Sequence, residues 1–229
     1  MREIVLDTET TGFEPSTGDR IVEIGAVELF NHMPTGRTYH QYICPERAMP
    51  KSAFEVHGLG DEFLSDKPVF KNIAQAFLDF VGDSQMVIHN ASFDMKFLNA
   101  ELKWVNLPEL PMSQSLDTLA IARKKFPGAN ASLDGLCRRF GIDNSSRTLH
   151  GALLDSEILA EVYLELLGGR QSGFALAADT SSQNAQSNEA WRPRPRPTAL
   201  GSKLTNEEAA AHETFVKGMG DGAIWSKPK

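Results

Sequence analysis

Apolar and polar positions along the first third of the chain alternate as they do in strands. A short apolar run at residues 4–6 is followed by apolar-rich segments at 20–29 and 38–43, the last two separated by the turn-rich NHMPTG. Three such segments with short connections predict an antiparallel meander. Further on the period lengthens. Residues 68–81 begin on Pro68 and place Phe70, Ile73, Ala74, Phe77 and Val81 along one stripe, which predicts a helix. Residues 86–88 predict a short buried strand, and 92–104 a helix capped by Asn90 or Ser92. A fifth strand is expected at 115–119, a short helix at 132–140 stopped by Gly141, and a longer one at 152–167 stopped by Gly168 and Gly169. The order β-β-β-α-β-α-β-α-α predicts an α/β domain with a mixed sheet.

Near residue 169 the pattern breaks down. Residues 171–202 are rich in Ser, Gln, Asn and Ala and carry the run Arg192-Pro-Arg-Pro-Arg-Pro197, which predicts a flexible linker stiffened at its Pro-rich end. Order is expected again over 203–229. There Thr205 and Glu208 form a capping-box pattern, and Ala211, Phe215 and Met219 follow at helical spacing beside Val216. The predicted organisation is therefore a domain over 1–170, a linker and a terminal segment.

Charge changes the picture more than composition does. Residues 1–168 hold 15 Lys and Arg against 24 Asp and Glu, a balance of −9 within a chain total of −7. An acidic body argues against gripping duplex DNA by massed phosphate contacts, so free-standing affinity for nucleic acid should be weak. It leaves room for an enzyme whose metal ions supply the positive charge. No apolar run approaches the ~20 residues of a membrane span, and the N-terminus lacks the basic-then-apolar pattern of a secretory signal. Cys44 and Cys137, without metal-ligand spacing, suit a reduced cytoplasm.

Against that background a few acids stand out. Asp7 and Glu9 end the first apolar run, and if the strand persists they share a face roughly 6.5–7 Å apart. Two anions that close are costly without a counter-charge, although a lone D-x-E is most often a solvated strand end. Asp94 lies in the first turn of a helix among Phe93, Phe97 and Leu98, where helix-dipole stabilisation is the plain alternative. Asp155 lies beside the apolar face of Leu154, Ile158, Leu159 and Val162. Together these four offer a hard, oxygen-rich site suited to Mg²⁺ or Mn²⁺. His150 precedes Asp155 by five residues, about 140° away on a continuous helix, so the two meet only if His150 lies in the loop before it, with Gly151 at the break. A neutral imidazole there could take a proton near pH 7.

DTETTG, HNASFDMKFL and HGALLDSE resemble, in order and spacing, the three motifs of the DEDDh 3′–5′ exonucleases, and VHGL, TLAIARKKFPG and SLDGLCRRFGI extend the likeness over residues 3–170. Within that family the chain is similar to the proofreading subunits of bacterial DNA polymerase III. The resemblance implies a ribonuclease-H-like fold, two divalent metal ions held by Asp7, Glu9 and Asp155 with Asp94 completing the set, and His150 as general base. The variant with tyrosine in the third motif is excluded by His150. It further implies substrate contacts from Asp7, Glu9 and Asp155, from Thr10 and Thr11 beside the terminal nucleotide, and from His57 and Ser52. A helix-end role for His57 and a turn-forming role for the threonines are the alternatives. His89 and Asn90 are expected to fix the strand–helix turn.

The tail implies partners. Gln171, Phe174 and Leu176 resemble a sliding-clamp peptide, although the aromatic residue precedes the aliphatic one in reverse of the usual order. Residues 203–229 resemble a segment that binds the polymerase III catalytic subunit, with Phe215, Val216 and Trp225 as anchors. A small accessory subunit is a further possible partner, and the expected location is the cytoplasmic replisome. A free-standing enzyme trimming RNA ends and an inactive adaptor between clamp and polymerase are the competing readings; the tail argues against the first and the complete acids against the second.

Overall fold

The structure, a computed structural model, describes residues 1–145, 147, 149–169 and 204–219. Five strands form one sheet in the order β3-β2-β1-β4-β5. β1 (Arg2–Thr10), β2 (Ile21–Phe30) and β3 (Met33–Tyr42) make the expected antiparallel meander, whereas β4 (Gln85–Ile88) and β5 (Ser115–Asp117) run parallel to β1. The sheet is mixed, as the order of elements requires.

β1 is covered on both faces, which is why its apolar run is continuous rather than alternating. Ile4 and Leu6 join a core with Phe70, Phe77, Met86, Phe97 and Leu98, under α3 (Phe70–Val81) and α4 (Ala91–Trp104). Val5 joins the opposite core with Val27, Val87, Ile158, Leu159 and Val162, under α7 (Ala152–Leu167). All five stripe residues of α3 are buried.

Several boundaries differ from expectation, each for a local reason. β3 begins at Met33, not near Thr38, because Asn31 and His32 alone make the turn, both at positive φ as a primed two-residue hairpin requires. Thr118 and Leu119 are not strand; Asp117 accepts from the Leu119 N–H at 2.9 Å and starts α5 (Thr118–Lys125). Two further helices, α1 (Lys51–His57) and α2 (Asp61–Leu64), add to the expected set: both are short and carry no apolar stripe long enough to show a period. α6 (Leu133–Phe140) has Ser132 as its cap and left-handed Gly141 as its stop. None of the described helices is long and apolar enough to cross a membrane.

α8 (Asn206–Gly218) belongs to a second unit of the chain. Thr205 and Glu208 form the expected capping box, Phe215 is 66% exposed and Val216 is half-buried. Gln171, Phe174, Leu176 and Trp225 lie outside the described residues, as does the linker.

Candidate active site

A cleft of about 490 Å³ opens at the C-terminal end of β1, where Asp7, Glu9, Asp94, His150 and Asp155 converge. This is the crevice at the carboxyl ends of parallel strands where α/β sheets bind ligands. Because β1 continues through Thr10, Asp7 and Glu9 project on the Val5 face, toward α7, and Thr8 projects on the Leu6 face, toward α4. Thr8 Oγ1 donates to Asp94 Oδ1 at 2.7 Å and draws the first turn of α4 to the strand end. The register with β2 shifts between Glu9 and Thr10, a bulge that ends the regular strand at the last acid.

α7 supplies the opposite wall. His150 lies in the loop before it, Gly151 is the extended N-cap, and Asp155 is in the first turn, so the break that allows both to face one site is present. The His150 N–H donates to the Val56 carbonyl at 3.1 Å, so α1 helps to hold the loop. Donor atoms of Glu9, His150 and Asp155 lie within 4.8 Å of one another, close enough to share a metal ion.

The electrostatics follow from this crowding. Burial raises the Asp7 carboxyl well above the ordinary range, and the charges of Asp94, Glu9 and Asp155 push it further. Burial, then Asp155 and Glu23, raise Glu9 to about 8. Burial raises Asp94 to about 7 against the opposing Thr8 hydrogen bond. Among the described residues, the Asp7 and Glu9 carboxylates accept no hydrogen bond from any side chain or backbone group. Acids this poorly compensated fit a divalent cation, which meets hard oxygen donors with charge. His150 is shifted down by burial and then by Arg147, so its ring is neutral at pH 7.

A smaller pocket adjoins the acids, lined by Thr10, Phe13, Ser52, His57 and Phe93 among others. Phe13 is 82% exposed and meets Phe93 edge-on with ring centroids 6.5 Å apart. His57 is both the last residue of α1 and buried against this pocket; its Nδ1 accepts from the Leu59 N–H. Thr10 Oγ1 donates to the Gly12 carbonyl at the rim. Thr11 lines neither cavity: its hydroxyl faces Asp19 and accepts from the Arg20 N–H. His89 lines the cleft and pairs with the Thr118 hydroxyl at 2.9 Å, and the Asn90 N–H donates to Asp117, so both secure the turns around β4 and β5.

Three contributors escape sequence reasoning. Thr8 sits unremarked between two acids. Arg147, in SSRTLHG, belongs to no periodic pattern yet contacts both Asp155 and His150. Gly25 does carry a signal, as a lone glycine inside a strand, the ordinary mark of a close backbone approach.

The exonuclease family model RNase_T matches residues 4–163. DNA polymerase III subunit epsilon of Rickettsia conorii (strain ATCC VR-613 / Malish 7) is 49% identical over 219 residues, 94% of this chain and 95% of that protein. DNA polymerase III subunit epsilon of Escherichia coli (strain K12) is 44% identical over 236 residues, 98% and 97% of the two chains. Among solved structures, Exonuclease X in complex with 5′ overhanging duplex DNA aligns with a TM-score of 0.58 and 26% identity, covering 72% of this chain and 90% of that one. The nuclease domain of 3′hExo, a DEDDh family member bound to rAMP, aligns at 0.63 with 20% identity, covering 72% and 91%, a likeness of fold.

Proposed function

The chain belongs to the DNA polymerase III subunit epsilon family of proofreading 3′–5′ exonucleases, and on that premise we propose how its own residues carry out the hydrolysis. Asp7, Glu9, Asp94 and Asp155 would hold two divalent ions, Mg²⁺ or Mn²⁺. Such ions, when bound, activate water and stabilise the attacking and leaving oxygens of a phosphodiester. His150 takes the proton of the attacking water on its neutral ring. Thr8 keeps Asp94 aimed at the cleft, and α1 holds the backbone of His150 in reach. The 3′-terminal nucleoside of a frayed primer is placed in the smaller pocket, where Thr10, Ser52 and His57 offer polar contacts and Phe13 an exposed ring for a base.

The domain boundaries follow the same reading: exonuclease over 1–170, linker over 171–202, partner segment over 203–229. A 13-residue helix that exposes Phe215 cannot bury that ring by itself, and short isolated helices are marginal in water. A groove on the polymerase catalytic subunit is the assigned destination. Gln171, Phe174 and Leu176 are assigned to the sliding clamp, and a small accessory subunit to the catalytic body.

One observation carries the catalytic reading: four acids and a histidine from β1, α4 and the start of α7 meet in a single cleft, where burial raises Asp7, Glu9 and Asp94 above the ordinary carboxylate range. A 3′-mismatched primer, wild type against Asp7→Ala, with and without Mg²⁺, tests it. Metal-dependent shortening by the wild type alone is expected, and failure of the wild type to shorten the primer sinks the reading.

A further inference from the structure

Two cations line the cleft, Arg123 and Arg147, and among the described residues only Arg147 pairs with the acids there. Its side chain is 9% exposed. The guanidinium grips Asp155 with both edges of its fork, Nε to Oδ1 and Nη2 to Oδ2, the latter at 2.7 Å. Nη2 also lies 2.8 Å from His150 Nδ1, and Nη1 reaches Asp134 Oδ1 at 3.1 Å. Asp134 is in turn held by the Asn144 amide at 2.8 Å.

Of the three groups whose donor atoms lie close enough to share an ion, two therefore face this guanidinium. A bidentate fork uses the same carboxylate oxygens that a cation needs, and two positive charges cannot share them cheaply. An imidazole whose Nδ1 accepts from a guanidinium carries its own proton on Nε2 and has no free lone pair for a water. Arg147 thus occupies a proposed metal ligand and the proposed base together.

We infer that Arg147 is an internal counter-cation: it holds Asp155 and His150 while no divalent ion is bound, and it releases both when an ion enters. Asp134, which is 44% exposed and already paired with Nη1, retains the guanidinium after release. A plain structural role, tying Arg147 and His150 to α7, predicts the opposite response to substitution: loss of the arginine would loosen His150 and weaken ion binding. This inference rests on the reading that these acids bind divalent ions.

Calorimetric titration of Mn²⁺ into the full chain without DNA separates the two roles. Arg147→Ala is expected to bind Mn²⁺ roughly tenfold more tightly than wild type, the scale of a lost charge-assisted hydrogen bond. Arg147→Lys, which keeps the charge without the fork, falls between them. In thermal melts the metal-free Arg147→Ala protein unfolds below wild type, while Mn²⁺ raises its melting temperature by more. Equal or weaker Mn²⁺ binding by folded Arg147→Ala overturns the inference. Should the alanine variant not fold, equal or weaker binding by Arg147→Lys overturns it instead. If the wild type binds no Mn²⁺ at all, the metal reading of the acids fails and this inference with it; binding that is unaltered in both variants removes the inference alone.

Discussion

Gly25 and Ala152 bring β2 and α7 into backbone contact. A Cβ at Gly25 would stand 2.2 Å from the Ala152 carbonyl carbon and 2.1 Å from the Leu153 nitrogen, so no side chain fits there. The Ser156 hydroxyl donates to the Gly25 carbonyl at 2.9 Å and locks the crossing. Gly25 also faces Asp7 across the β1–β2 ladder, so this contact sets the distance from the strand acids to Asp155, in the first turn of α7.

Gly25→Ala is therefore expected to push the start of α7 outward. Overpacking costs about 1–3 kcal/mol, and a displacement near 1 Å at the chemistry costs on the order of 100-fold in rate. Primer degradation should fall by that order while the melting temperature drops by only a few degrees. An unchanged rate would show that α7 is positioned by something else.

Thr8→Val keeps the shape of the side chain and removes its donor. Asp94 is 3% exposed and would lose its hydrogen bond from Thr8. An unmet hydrogen bond of this kind is worth about 1–3 kcal/mol, so the maximal rate should fall roughly tenfold or more. The comparison is made at saturating Mg²⁺; equal rates would release Thr8 from its positioning role.

The raised acids link stability to pH. Glu9 moves from 4.5 in its ordinary state to about 8 in the fold, and Asp94 from 3.8 to about 7. Between those limits the folded protein binds more protons at these groups than the unfolded chain. Their contribution to metal-free stability therefore falls as pH rises from about 4 to 8. Glu9→Gln removes one titrating charge. Its melting temperature should match wild type near pH 4 and exceed it near pH 8 without metal, and added Mn²⁺ should reverse the order. A pH-independent difference would contradict the assigned shift.

In the proposed mechanism His150→Ala removes a base rather than a binding contact. General-base catalysis is worth roughly 100- to 10,000-fold, so the maximal rate should fall by that range while affinity for a single-stranded 3′ end, measured with Ca²⁺ in place of Mg²⁺, stays within a few-fold. Parallel losses in rate and affinity would assign His150 to binding instead.

Each element legible in the sequence has its own strong local signal. The stripe of α3, the caps of α6 and α8 and the glycine stops lie within a few residues of one another, and patterns of that kind survive any tertiary context. α1 leaves no such trace because seven residues hold fewer than two turns, and the 115–119 segment divides differently because Asp117 can end a strand and cap a helix at once. α1 also holds the backbone of His150, so one support of the site is hidden with it.

Residue types and spacing in the chain predict that Asp7 and Glu9 share a face if the first strand persists, that Asp94 and Asp155 lie near helix starts among apolar neighbours, and that His150 stands outside the helix of Asp155 if the two act together. These are short-range facts, set by the two-residue and 3.6-residue periods. The union of those pieces belongs to the tertiary structure alone. Thr8 meets Asp94 across 86 positions, Ser156 meets Gly25 across 131, and Arg147 fills the gap between Asp155 and His150. The first two depend on how packed layers bring distant residues together, and the Arg147 contacts, over three and eight positions, on a stretch that follows neither the strand nor the helix period. LDTETTG shows that a charge problem exists; only the packed α7 and the loop before it show which of the protein's own cations stands against the acids.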